Sequence, residues 1–126
     1  MKTLEQAQEE GIAPWDQLVD EELNVKIYLD RYPVTPGHML FVPTDDSALR
    51  VCDALASAIV RGEQAVAAGV CDGYNVGFNR GPAAGQTVMY PHVHLIPRKH
   101  GDTLDPTGGV RNVIPGKGNY KDNGNI

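Results

Sequence analysis

Gly85 to Arg98 reads GQTVMYPHVHLIPR, and the rest of the chain is read outward from this stretch. It sets two histidines two residues apart inside a run of strand-forming residues. In a strand, side chains two apart share a face. Tyr90, His92, His94 and Ile96 therefore point one way, while Met89, Pro91, Val93 and Leu95 point the other, toward a core. An imidazole pair on a rigid strand, entered from the Gly/Pro-rich segment Gly81–Gly85, suits chemistry on an anion.

Upstream, Tyr74–Asn79 reads as another strand. Before it, Asp45, Asp46 and Ser47 offer N-cap oxygens for a long helix over Ser47–Ala68, with Gly69 as its stop. Leu55, Ile59 and Val66 keep a helical period, extended by Ala48, Val51, Cys52 and Gly62, and this stripe should face the core. Gly62 weakens the helix by about 1 kcal/mol relative to Ala unless something packs closely there. His38–Val42 is a strand entered through the turn Pro33-Val34-Thr35-Pro36-Gly37. From Asn24 the pattern alternates, with Val25, Ile27 and Leu29 on one face and Lys26, Tyr28 and Asp30 on a polar face: a half-buried strand. A weaker alternation starts at Gln17. Leu4–Glu10 forms a short helix with a solvated acidic face, ended by Gly11. Hairpins around one long helix make an α+β fold rather than a parallel sheet. The chain divides into an N-terminal segment (1–15), a central domain (16–104) and a Gly- and Asn-rich tail (105–126). That tail is partly flexible, its last residues are expected to lack order, and Val110, Val113 and Ile114 are its contacts to the sheet or to an adjacent subunit.

A chain of 126 residues fits one domain with a core that needs no staples. Its apolar runs fall far below the ~18 residues of a membrane span, and no signal peptide is read at Met1, so the expected location is the cytoplasm. Cys52 and Cys71 form no CxxC pair and are read as reduced, buried small hydrophobes. The net charge of −5 argues against a long nucleic acid as partner. Residues 1–79 hold 5 Lys/Arg against 13 Asp/Glu, whereas residues 80–121 hold 6 against 2. The positive excess shares the histidines' third of the chain, and a small anionic substrate accounts for it.

Three readings of His92 and His94 compete. They are satisfied structural histidines, or zinc ligands needing further donors from His38, Asp30 or Asp102, or a nucleophile and its partner acting on phosphorus. The segment Gly81–Thr87 lacks the lysine of a Walker loop. Its small residues, followed by Gln86 and Thr87, can still present N–H groups and polar side chains to phosphate oxygens, which favours the third reading.

Gly85-Gln-Thr-Val-x-x-x-His-x-His-x-Ile-Pro-Arg98, preceded by Asn79-Arg80-Gly81 and by Pro33-x-x-Pro-Gly-His38, resembles the histidine triad (HIT) family, near its fragile histidine triad and diadenosine polyphosphate hydrolase branch. The likeness runs from about Asp16 to Asp102, and the tail's GGVRNVIPGKGNY is similar to bacterial members. It implies a five-stranded antiparallel sheet that dimerises into ten strands. His92 falls at the histidine that attacks the α-phosphate of a nucleotide. His94 matches the last triad histidine and His38 an additional active-site histidine. Asp30 sits where the ribose hydroxyls are held, and Asn79, Gly85, Gln86 and Thr87 where the phosphates are met. The implied mechanism needs no metal and no cofactor. One position departs from the pattern, since Tyr90 stands where the first triad histidine is expected. A phenol with a pKa near 10 donates a hydrogen bond but shuttles no proton near pH 7. On that basis Tyr90 is counted with the catalytic groups, and Tyr90→His is expected to raise turnover. The activity implied is hydrolysis of dinucleoside polyphosphates or nucleoside phosphoramidates through a nucleotidyl-histidine, by a homodimer with no nucleic-acid or membrane partner. A nucleotidyltransferase and a non-catalytic nucleotide-binding protein are the alternatives.

Overall fold

The alternations at Val25–Leu29 and Val93–Arg98 build the middle of one sheet, described in a computed structural model that covers residues 1–121. The final residues expected to lack order, 122–126, lie outside the described residues. In chain order the elements are α1 (Leu4–Glu9), β1 (Leu18–Glu22), β2 (Val25–Leu29), β3 (Met39–Pro43), α2 (Ala48–Ala67), β4 (Gly73–Gly77) and β5 (Val93–Arg98). The five strands pair antiparallel throughout in the order β1-β2-β3-β5-β4, so the histidine strand sits inside the sheet and β4 at its edge.

α2 starts where the sequence places it, with the Ser47 hydroxyl accepting from the Arg50 N–H and Gly69 at φ +74° just past the end. The face it turns inward is rotated from the expected stripe. Val51, Ala54, Ala58 and Gly62 are buried, joined by partly buried Leu55, whereas Ile59 and Val66 are exposed. Small residues let the helix axis approach the sheet closely. An added Cβ on Gly62 would stand 2.7 Å from the Tyr74 ring, which accounts for a glycine in mid-helix. Cys52 also falls on the outer side of α2 and is exposed, a correction to its expected burial; Cys71 is buried.

Beneath α2 lie Val25, Ile27, Phe41, Val93 and Leu95. The opposite face of the sheet is not left to solvent. Tyr28, Leu40, Val42 and Tyr90 form a second core with Leu4, Ala7 and Ala13 from the N-terminal segment. β2 is therefore covered on both faces, and Tyr28, read from local alternation as polar-face, is 4% exposed. α1 opens with a capping box, in which the Thr3 hydroxyl accepts from the Gln6 N–H and the Gln6 side chain accepts from the Thr3 N–H, and it is tied over this core by the Leu4 N–H donating to the Thr44 carbonyl and the Gln8 amide donating to the Tyr28 hydroxyl. None of the described helices is long and apolar enough to cross a membrane.

Candidate active site

β5 begins at Val93, later than the run of strand formers suggests, because Pro91 has no N–H for the ladder. Val93 and Leu95 enter the helix-side core, and His94 lies on the other face, paired in register with Leu40. His92 stands just before the strand, on the same side as His94, with the two ring centroids 5.1 Å apart. His38 enters from the start of β3. Its turn is tied to β5 by the Thr35 hydroxyl, which donates to the Pro97 carbonyl at 2.7 Å.

The hydrogen bonds fix which nitrogen of each ring holds the proton. Burial holds His38, His92 and His94 below the ordinary imidazole range, with His94 pushed down to about 4 by burial and by the two neighbouring rings. All three are thus neutral near pH 7. The Val34 N–H donates to His38 Nδ1 (3.1 Å), which leaves the His38 proton on Nε2. That Nε2–H faces His94 Nδ1 at 2.9 Å and donates to it, so the His94 proton sits on Nε2. His92 Nδ1–H donates to the Tyr90 carbonyl (2.8 Å), which frees the Nε2 lone pair of His92. One ring therefore offers a nucleophilic lone pair and its neighbour a hydrogen-bond donor.

Both rings line a cavity of about 360 Å³ together with Trp15, Asp30, Asn79, Gly85, Gln86 and Thr87. The structure thus brings together the sequence-derived positions Asp30, Asn79, Gly85, Gln86, Thr87, His92 and His94, with His38 adjacent behind His94. Asp30 accepts from the Tyr32 N–H (2.8 Å) and keeps a carboxylate oxygen 3.5 Å from His38 Nε2. Gln86 is largely spent on the loop itself. Its side-chain oxygen accepts from the Gly81 N–H and its amide donates to the Val88 carbonyl, closing a turn in which Gly85 takes φ +92°. Among the described residues the backbone N–H groups of Thr87 and Val88 meet no protein acceptor, and they stand at the cavity wall.

Tyr90 is not brought to this cavity. It lies on the histidine side of the sheet as alternation requires, but 1% exposed in the second core, with its hydroxyl donating to the Pro43 carbonyl at 2.8 Å. Burial, with Asp46 and Asp45 nearby, raises its phenol pKa. Trp15 is the residue that sequence reasoning passed over; its ring centroid is 4.7 Å from that of His92. Nothing local in Ala13-Pro14-Trp15 signals this, beyond its being the sole tryptophan of the chain.

For the zinc reading, Asp30, His38 and His94 each bring a ligand atom within 4.8 Å of the others, and His92 is not among them. A cation there needs the lone pair of His38 Nε2, yet that nitrogen holds the ring's proton while Val34 occupies Nδ1. The trio does not fit a cation unless the Val34 bond is broken.

A reaction that uses the His92 lone pair loses rate only as that ring protonates. Because burial lowers its pKa, the fall of kcat/KM toward acid is expected to be centred below the ordinary imidazole value of about 6.5. A profile already halved at about pH 7 would show the ring is not held neutral.

A sheet of this order, with three imidazoles meeting at a Gly-rich turn, is the histidine triad architecture, and the chain belongs to that family: a HIT domain spans residues 14–101. It is similar to the adenylylsulfatase HINT3 of Arabidopsis thaliana, 31% identical over 108 residues that make up 80% of this chain and 54% of that protein. It is also similar to the asymmetrical bis(5′-nucleosyl)-tetraphosphatase of Schizosaccharomyces pombe, 36% identical over 83 residues, 60% of this chain and 45% of that one. The chain spans little more than half the length of the first of these. Among solved structures, a zinc-bound histidine triad protein from Mycobacterium smegmatis superposes with a TM-score of 0.65 at 32% identity, covering 79% of this chain and 76% of that one.

Proposed function

We propose that this protein is a nucleotide hydrolase that cleaves at the α-phosphate of dinucleoside polyphosphates or nucleoside phosphoramidates, through a nucleotidyl group carried on His92. The observation that supports it most is the free Nε2 lone pair of His92, held 5.1 Å ring to ring from a donor on His94. In this reading Trp15 and Asp30 hold the nucleoside end, Asp30 by its carboxylate on the ribose hydroxyls. The N–H groups of Thr87 and Val88, with Asn79, hold the phosphate oxygens, each donor being worth roughly 3 kcal/mol in the transition state. His92 Nε2 attacks phosphorus in line. His94 Nε2–H steadies the departing atom, and His38 keeps His94 in the tautomer that can do so. Tyr90 acts from behind, by fixing the Pro43 strand end and presenting its own carbonyl to His92 Nδ1.

We also infer a homodimer joined across the edge strand β4, a reading supported by the exposed Ile59, Val60 and Val66 on α2. A transferase passing the nucleotidyl group to a second phosphate shares the first half of this mechanism. Hydrolysis in ¹⁸O-labelled water tests at which phosphorus the bond breaks. The label is expected in the nucleoside monophosphate and absent from the leaving group; label in the leaving group would place the attack on another phosphorus and refute the reading.

A further inference from the structure

The cavity around His92 and His94 has a far end, taken above by a nucleoside whose base is unspecified. Strand order sets its length. The two histidines belong to β5 and its approach, Asp30 follows β2, and Trp15 and Asp16 lead into β1, so the walls follow the sheet order β5-β3-β2-β1. Three strand spacings of ~4.8 Å come to about 14 Å. A purine nucleotide held at its phosphorus by one end of such a cavity presents the edge of its base to the other.

A site for an anionic substrate gains nothing from a carboxylate in its wall unless that carboxylate meets hydrogen-bond donors. This wall has two. Asp30 is placed for the ribose hydroxyls, and Asp16 stands beyond it, next to Trp15, whose ring offers a flat face to a base. Both oxygens of Asp16 accept from Arg31 Nη2 at 2.7 Å, and Arg31 lines the same cavity from the turn after β2. The two segments are held side by side by the Leu29 N–H, which donates to the Gln17 carbonyl at 2.9 Å. A single nitrogen satisfies the ion pair. Nη1 and Nε of Arg31 donate to no protein acceptor among the described residues, and each Asp16 oxygen keeps a further lone pair. The rim therefore sets carboxylate acceptors beside guanidinium donors.

We propose that Asp16 and Arg31 read the base, and that the nucleoside they select is guanosine. Guanine carries two adjacent donors on one edge, N1–H and the 2-amino group, beside the acceptor O6. The Asp16 carboxylate takes the two donors, and a free N–H of Arg31 takes O6. Adenine turns the acceptor N1 toward the carboxylate and its 6-amino donor toward the guanidinium, so both contacts become repulsive. Hypoxanthine keeps O6 and N1–H, lacks the 2-amino group, and falls between the two. The side chains of Arg31 and Asp16 are 53% and 66% exposed, so water competes for their bonds and adenosine compounds remain slower substrates. This rests on the hydrolase reading and adds the base to it.

The test uses the 5′-phosphoramidates of guanosine, inosine, adenosine and xanthosine, which share ribose, phosphate and leaving group and differ only in the base. Diguanosine and diadenosine tetraphosphate are run beside them and read by the same ratio. For the wild type, kcat/KM is expected to be about tenfold or more higher with guanosine than with adenosine, with inosine between them. Xanthine replaces the 2-amino donor by a 2-oxo acceptor. Asp16→Asn keeps the shape of the side chain, offers an amide donor to that oxygen, and lies at an exposed position that the fold tolerates. It is expected to lower the guanosine-to-adenosine ratio about fivefold or more and to raise the xanthosine-to-guanosine ratio about tenfold or more. An ion pair that only pins the Trp15 segment would lower all substrates together in Asp16→Asn and leave every ratio unchanged. That result overturns the proposal, as does a wild type that turns over guanosine and adenosine compounds alike. Failure of the wild type on every one of these substrates is a separate outcome, which refutes the hydrolase reading itself and the base assignment with it.

Discussion

His92→Asn is expected to lower kcat/KM on diadenosine polyphosphates by on the order of 10⁴ or more, while nucleotide binding stays near that of the wild type. Asparagine keeps an N–H able to donate to the Tyr90 carbonyl, so the loop geometry that holds the nucleoside end survives. What disappears is the lone pair facing the phosphorus, and with it the covalent route. Losing a general acid–base contribution alone costs about 10² to 10⁴ in rate, so a loss inside that range would mark His92 as a helper. Equilibrium binding of adenosine monophosphate separates a lost nucleophile from a collapsed cavity, since only the second weakens both.

Tyr90→His is expected to destabilise the fold by roughly 2–4 kcal/mol without raising turnover. The sequence alone suggests the reverse, because a histidine there completes an HxHxH pattern. The structure accounts for the change: the ring sits in hydrocarbon with Leu4, Ala7 and Leu40, and its hydroxyl is spent on the Pro43 carbonyl. An imidazole in that place is smaller, leaves space behind, and brings a second ring nitrogen for which the apolar surroundings offer no partner. Chemical denaturation of Tyr90→His beside Tyr90→Phe measures it, the phenylalanine variant losing only the hydrogen bond, about 1–2 kcal/mol. An increase in kcat at unchanged stability would mean that this position reaches the substrate.

The two outcomes for Tyr90 show where sequence reasoning stops. Alternation is a local property, and it correctly sent Val93 and Leu95 to one core and His94 to the other face. It could not tell that this other face is itself divided, part cavity and part second core. That division is made by α1 and Ala13 folding back over Tyr28 and Tyr90, a contact between segments far apart in the chain. Trp15 was missed for the same reason. On α2 the error was of another kind. The helical period places Val51 and Gly62 inward correctly but also Ile59 and Val66, and leaves out Ala54 and Ala58, the small residues that close approach to a sheet selects. Motif spacing picks out residues that the fold does bring together, since Asp30, Asn79, Gly85, Gln86, Thr87 and the three histidines converge on one cavity or directly behind it. The proton positions were illegible, since they follow from bonds such as Val34 N–H to His38 Nδ1 that only coordinates reveal.

The covalent step is tested most directly by acid-free quenching of the protein with α-labelled diadenosine polyphosphate in the first turnovers, followed by peptide mapping of the label. A base-stable, acid-labile nucleotidyl group on the peptide containing His92, absent in His92→Asn, is the predicted result. Turnover with no labelled peptide at any quench time, or label on His94 or His38 instead, would contradict it.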